Sequence, residues 1–133
     1  MNKDILAAID GHYIKEIWHE LHQVPELGFD LPRTVAIVKR ELDALGLPYT
    51  EKYGKSGIVA TVNAGRAGFT FGIRADMDAL PVTEETGFPF SSTIPGHAHA
   101  CGHDGHTAML LGLAKALAVL KDDLPCRVKL LFQ

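Results

Sequence analysis

The spacing of hydrophobic residues changes along this chain, and that change constrains the fold more than any other feature. Ile5, Ile9, Tyr13, Ile17 and Leu21 recur every four residues, with Leu6, Ile14 and Trp18 widening the stripe. Such spacing gives one apolar helix face over residues 4–22. Pro25 and Gly28 mark its exit. A second helix starts near Pro32, a residue suited to the first helical position. Val35, Val38, Leu42 and Leu45 form its buried face, and Gly46 stops it. Residues 57–62 and 69–75 are then rich in β-branched and aromatic side chains and read as strands, with residues 63–68 as a hairpin loop between them. A third helix runs from near His106 to about Leu120, burying Met109, Leu110, Leu113 and Leu117. Pro125 interrupts, and residues 127–132 read as a last strand. The order ααββαβ predicts an α/β fold with helices packed on a mixed sheet.

A length of 133 residues suggests one domain. Folding at that size buries roughly two-thirds of the surface the unfolded chain exposes, enough for a true core. Apolar and charged contents of 47% and 22% are those of an ordinary globular domain. The net charge of −3 and the lack of any Lys/Arg run leave no footprint for nucleic acid. The polar start, Met1-Asn2-Lys3-Asp4, has no apolar signal core behind it. The longest apolar stretch, residues 109–120, is broken by Gly112 and Lys115 and is too short to span a membrane. The expectation is a cytoplasmic protein whose two cysteines, Cys101 and Cys126, remain thiols.

Residues 96–106 carry the chemistry. They hold four of the seven histidines, one of the two cysteines and an aspartate, spaced by Gly96, Gly102 and Gly105. Imidazole, thiolate and carboxylate are the side chains that bind divalent transition metals. Cys101 and His103 are two apart, so in a looped or extended segment both can face one ion. The bland alternative, a buried thiol beside a surface histidine, leaves the rest of the cluster unexplained. Asp104 has two compatible roles: holding the second ring nitrogen of a ligating histidine, and capping the helix near His106. For His106 a ligand role and a structural hydrogen bond are equally open. Of His97 and His99, at least one is free to be simply solvated.

Asp76 and Asp78 lie at the C-terminal end of the second strand and share one face. Ligand sites in open α/β sheets lie outside such ends, although a pair of solvated turn carboxylates gives the same pattern. The long aperiodic connection 80–105, with Phe88, Phe90 and Ile94, reads as functional rather than disordered. His12, His19 and His22 are most economically surface residues. Glu84 and Glu85 read as solvated, and Cys126 as a packed thiol.

Four motifs occur in register: residues 21–29 (LHQVPELGF), 74–81 (RADMDALP), 86–90 (TGFPF) and 99–107 (HACGHDGHT). Together they resemble the N-terminal part of the aminoacylase/carboxypeptidase-type metallopeptidase family, in the branch of hippurate hydrolases, N-acyl-amino-acid amidohydrolases and auxin-conjugate hydrolases. The resemblance covers the chain from about Ile17. It implies a three-layer αβα zinc-exopeptidase-like catalytic domain, of which residues 1–133 are the N-terminal part, without the lid and dimerisation domain. It implies divalent metal ions, two in the full-length fold, as zinc, manganese, cobalt or nickel. Cys101 and His103 match metal ligands, and Asp78 matches a supporting residue near the metals. Asp76 stands where sister branches have a ligating histidine, and being aspartate in this chain it is assigned no metal. With Asp104 and His106 it is expected to support the ligands from behind.

Three positions depart from the family pattern without removing a ligand: Trp18-His19, His97-Ala98 and Cys126. Family members continue, just past the last strand, into Pro-Ala-Glu-Glu, which supplies the general base. The base is therefore expected beyond Gln133, and these residues alone are expected to be inactive. The implied reaction is metal-dependent hydrolysis of N-acyl amino acids to a carboxylic acid and an amino acid. The implied full-length protein forms homo-oligomers, and self-association of this chain through an uncovered sheet is a further expectation. Two rival readings are a metal-holding interaction module and a Cys101 nucleophile paired with His103 or His106. Against the second, no third orienting group is evident.

Overall fold

The computed structural model describes residues 5–133, so the polar start at residues 1–4 and the first residue of the expected opening helix lie outside the described residues. A 3-10 turn at Ile5–Ala8 precedes α1 (Gly11–His22) and α2 (Pro32–Ala44). A short β1 (Tyr49–Thr50) and β2 (Ile58–Val62) follow, then β3 (Thr70–Ala75), α3 (His103–Leu120) and β4 (Arg127–Phe132).

The first helix is shorter than its apolar spacing predicts. Asp10 ends the opening turn and accepts a hydrogen bond from the Tyr13 backbone N–H at 3.0 Å, which makes it the N-cap of α1. Leu6 and Ile9, upstream of that cap, are exposed. In α2, Pro32 stands at the first helical position as expected. The free N–H groups of its first turn are satisfied from outside the helix, because Glu26 accepts from Arg33 N and Thr34 N at 2.9 and 2.8 Å. That bond is why a glutamate only 8% exposed is tolerated at this position.

The four strands form one mixed sheet in the order β1-β2-β4-β3. β2 and β3 are therefore not a hairpin: β4 lies between them, antiparallel to β2 and parallel to β3. Residues 63–68 have the turn composition of a hairpin, but the partner of β3 arrives some fifty residues later, after the α3 crossover that a parallel pair requires. Ile58, Ala60, Val62, Val128, Leu130 and Phe132 point to one face and are buried there with Leu21, Val38, Leu42 and Leu111. The alternate positions Val59, Thr61, Lys129 and Leu131 face away from this core and are partly or fully exposed. The described residues thus give a mixed sheet with helices packed on it, as expected from the alternation of periods.

α3 also departs from expectation. It starts at His103, and Met109 is exposed at its rim, beside Ile73 and Leu113. Leu110 is buried as expected, Leu113 and Leu117 are partly buried, and the buried stripe also takes in Thr107, Ala108, Leu111 and Ala114. Gly112 faces α1 closely enough that a methyl group there would overlap the Ile14 side chain. The close approach of these two helices anchors α3, whose first turn carries the histidines of interest.

Candidate metal centre

Beyond Ala75 the chain stays extended: Met77 N donates to the Gln133 carbonyl at 2.8 Å, and the Met77 side chain is wholly buried. Alternation then sends Asp76 and Asp78 to the opposite side from Met77, at the C-terminal end of β3. The Thr107 hydroxyl donates to the Asp76 carbonyl at 2.8 Å and joins this segment to α3. Gly102, with φ of +89°, lets the chain turn abruptly into that helix. The first turn of α3 is thereby laid against the two aspartates.

His103 is held from one side. Its Nδ1 lies 2.9 Å from the Asp78 carbonyl oxygen and 2.9 Å from Asp78 Oδ1. Both are acceptors, so Nδ1 donates, and Nε2 is the ring nitrogen left for another partner. Nε2 lies 3.4 Å from Asp76 Oδ2. His106 Nδ1 lies 2.7 Å from Asp76 Oδ1 and steadies the same carboxylate from its other oxygen. Burial alone would raise the Asp76 pKa; the hydrogen bond from His106 and the charges of both histidines outweigh it and hold it below the ordinary carboxylate value. Ligand atoms of Asp76, His103 and His106 lie within 4.8 Å of one another.

The donor chemistry fits a divalent transition ion. A histidine with Nδ1 fixed by a carboxylate and Nε2 presented outward is the arrangement by which metal-ligating imidazoles are oriented. His99 is only 7% exposed, yet neither ring nitrogen has a partner among the described residues, and burial lowers its pKa. Its ring lies 6.3 Å from that of His22, and buried ring nitrogens left bare are unusual in a folded protein. Cys101 is a free, exposed thiol on the loop before Gly102, and it stands outside the Asp76–His103–His106 group. The structure thus brings His103, Asp78, Asp76 and His106 together, and Cys101 is not among them.

Asp104 points elsewhere. It is the second residue of α3 rather than its cap, and it holds no ring nitrogen of the 96–106 segment. Its Oδ2 accepts from Trp18 Nε1–H at 2.8 Å and from His22 Nδ1–H at 2.6 Å. The other ring nitrogen of His22 donates to Glu84 Oε1 at 2.8 Å. Two residues expected at the surface are therefore inside: His22 is 7% exposed, and the Glu84 side chain 6%. Burial raises the Glu84 pKa, but hydrogen bonds from Thr86, the Ser92 backbone and His22 reverse this and hold it at about 2. For His22, burial lowers the pKa, and the bonds to Glu84 and Asp104 outweigh it and raise it above the usual imidazole value. The only sequence signal for this network was that His22 closes a helix whose apolar stripe continues through Trp18 and Leu21. His12 is exposed and Cys126 buried, as expected.

A sequence profile described as peptidase family M20/M25/M40 matches residues 72–133. An N-acyl-L-amino acid amidohydrolase from Geobacillus stearothermophilus is 45% identical over 113 residues, spanning 85% of this chain and 30% of that protein. The hippurate hydrolase of Campylobacter jejuni is likewise 45% identical over 113 residues, spanning 85% of this chain and 29% of that protein. The solved structure of the Bacillus subtilis YXEP protein, described as a dinuclear metal binding peptidase from the M20 family, superposes with a TM-score of 0.85 at 35% identity. That likeness covers 90% of this chain and 34% of the other. The chain spans about three tenths of the length of the curated relatives it matches.

Proposed function

We propose, from the resemblance of this chain to the N-terminal portion of the amidohydrolases of peptidase family M20/M25/M40, that it forms part of a metal-dependent enzyme. That enzyme hydrolyses N-acyl amino acids to a carboxylic acid and an amino acid. The observation that carries this reading is the fixed ring of His103 at the C-terminal end of β3, its Nδ1–H on Asp78 and its Nε2 beside Asp76. Cys101 and His103 are the ligands this chain contributes. Asp78 holds the His103 ring, and His106 holds Asp76 against the same centre. When bound, divalent ions supply Lewis acidity, which activates water and polarises the acyl carbonyl. The residues of this chain orient the ligands; the general base belongs to the part of the relatives that follows the match to Gln133.

Residues 1–133 are read as the N-terminal part of the catalytic domain, with a second ion completed by ligands outside it. Metal analysis of the purified 133-residue chain is expected to give fewer than two tightly held ions per monomer, and no release of benzoate from hippurate. Two tightly held ions, or metal-dependent release abolished by Cys101→Ala, would contradict this division of labour. An activity that survives chelators but is killed by alkylation of Cys101 would favour the cysteine-nucleophile reading instead.

A further inference from the structure

His22 sits at the C-terminal end of α1, eighty residues from the metal loop in sequence, yet it touches the first turn of α3. Each of its ring nitrogens faces a carboxylate: Nδ1 lies 2.6 Å from Asp104 Oδ2 and Nε2 lies 2.8 Å from Glu84 Oε1. Asp104 Oδ2 already accepts the Trp18 indole N–H, which can only donate. Glu84 is tied down in turn: its Oε1 accepts from the Thr86 hydroxyl at 2.6 Å, and its Oε2 accepts the Ser92 backbone N–H. Donation from both ring nitrogens requires a ring protonated on both. Three segments meet at this ring: α1, the aperiodic connection around Glu84 and Ser92, and the start of α3.

We propose that His22 is a positioning residue of the metal-binding turn: doubly protonated and bridging Glu84 and Asp104, it fixes the first turn of α3 and so the orientation of the His103 ring. The metal half of this inference rests on the function proposed above; the His103 half stands on the hydrogen bonds alone. Asp104 follows His103 directly, so a shift of its carboxylate rotates the backbone that carries the His103 side chain. A buried, hydrogen-bonded network of one imidazolium and two carboxylates holds that backbone in one place because any displacement strands a charge.

Two substitutions separate the two arms of the bridge. The amide nitrogen of asparagine falls near the position of Nδ1, and that of glutamine near Nε2. His22→Asn therefore keeps the donor to Asp104, and His22→Gln keeps the donor to Glu84. Ring nitrogen-15 shifts of His103 in the metal-free chain are expected to remain those of the Nδ1–H tautomer in His22→Asn. In His22→Gln they are expected to move toward a mixture of tautomers. Zinc affinity is expected to fall about tenfold in His22→Gln and by less than about threefold in His22→Asn, the scale of lost support behind a ligand. Identical His103 shifts in the two variants, or no change in His22→Gln, would overturn the proposal. A purely structural bridge would lower stability in both variants alike without that asymmetry.

Should either variant fail to fold, the wild-type chain decides. Both His22 ring nitrogens are expected to carry protons at neutral pH, and one bare ring nitrogen would overturn the proposal. Because the ring shifts are read without metal, failure to bind zinc counts against the amidohydrolase reading, and failure of the ring response counts against the positioning role of His22.

Discussion

Two histidine–carboxylate clusters lie on either side of the first turn of α3, and they differ in one respect. Around His22 every ring nitrogen is used, by Asp104 and Glu84, and all three side chains are nearly buried. Around His103 one nitrogen is used by Asp78 and the other faces Asp76 at 3.4 Å, in a half-exposed setting. The same functional groups therefore do different work. A closed cluster has no lone pair to offer and can only hold parts in place. An open one has a donor atom oriented and waiting. The clusters share a backbone, since Asp104 belongs to one and His103 to the other.

The largest expected effect comes from breaking the closed cluster. Asp104→Ala removes the shared acceptor of Trp18 and His22 and leaves a buried imidazolium half-paired. Chemical denaturation is expected to show a loss of about 3 kcal/mol, the cost of removing one partner from a buried pair. A loss below about 1 kcal/mol would mean the cluster is wetter than its geometry implies.

Breaking the open cluster should spare the fold and weaken metal binding. Asp78→Ala removes the carboxylate acceptor of His103 Nδ1 and leaves only the backbone carbonyl of residue 78 to hold the ring. Zinc affinity is expected to fall between about 10-fold and 100-fold, with the denaturation midpoint nearly unchanged. If stability fell and affinity did not, the open cluster would be the structural one and the roles of the two would be exchanged.

The smallest effect is in the pH dependence of stability. Glu84 is held at about 2 against an ordinary 4.5, so its contribution is complete above pH 4.5 and is lost as pH falls toward 2. His22 is raised above its ordinary 6.5, so its contribution is complete below pH 6.5 and is lost as pH rises through the raised value. The closed cluster is thus strongest between pH 4.5 and 6.5. His22→Asn cannot titrate and is expected to flatten the alkaline limb. Denaturation midpoints of both chains from pH 5 to 9 check this, and parallel curves would contradict it.

Much of this was readable in the sequence where a pattern is local. The i, i+2 pair Asp76 and Asp78 at a strand end, the Pro32 start of α2 and the inward face of β2 all follow from neighbours a few residues away. What was not readable depends on distant partners. Residues 63–68 look like a hairpin because turn chemistry says nothing of β4, which takes the place beside both strands. Met109 fits an apolar period but lies at the rim of α3, beside Ile73. His22 and Glu84 are polar residues whose burial depends on each other and on Asp104, and no periodicity marks a charge network that spans more than eighty residues. Cys101 and His103 stood out by composition and Asp76 by its place at a strand end, while the pairing of Asp76 with His106 appears only in the fold.

The most direct measurement is a cobalt(II) titration of the chain, followed by absorption in the near ultraviolet and visible. With Cys101 and His103 as ligands, a thiolate-to-cobalt charge-transfer band is expected, lost in Cys101→Ser and weakened in His103→Ala. A cobalt spectrum without that band, unchanged by Cys101→Ser but abolished by Asp76→Ala, would contradict the assignment of Cys101 and move the centre to Asp76, His103 and His106.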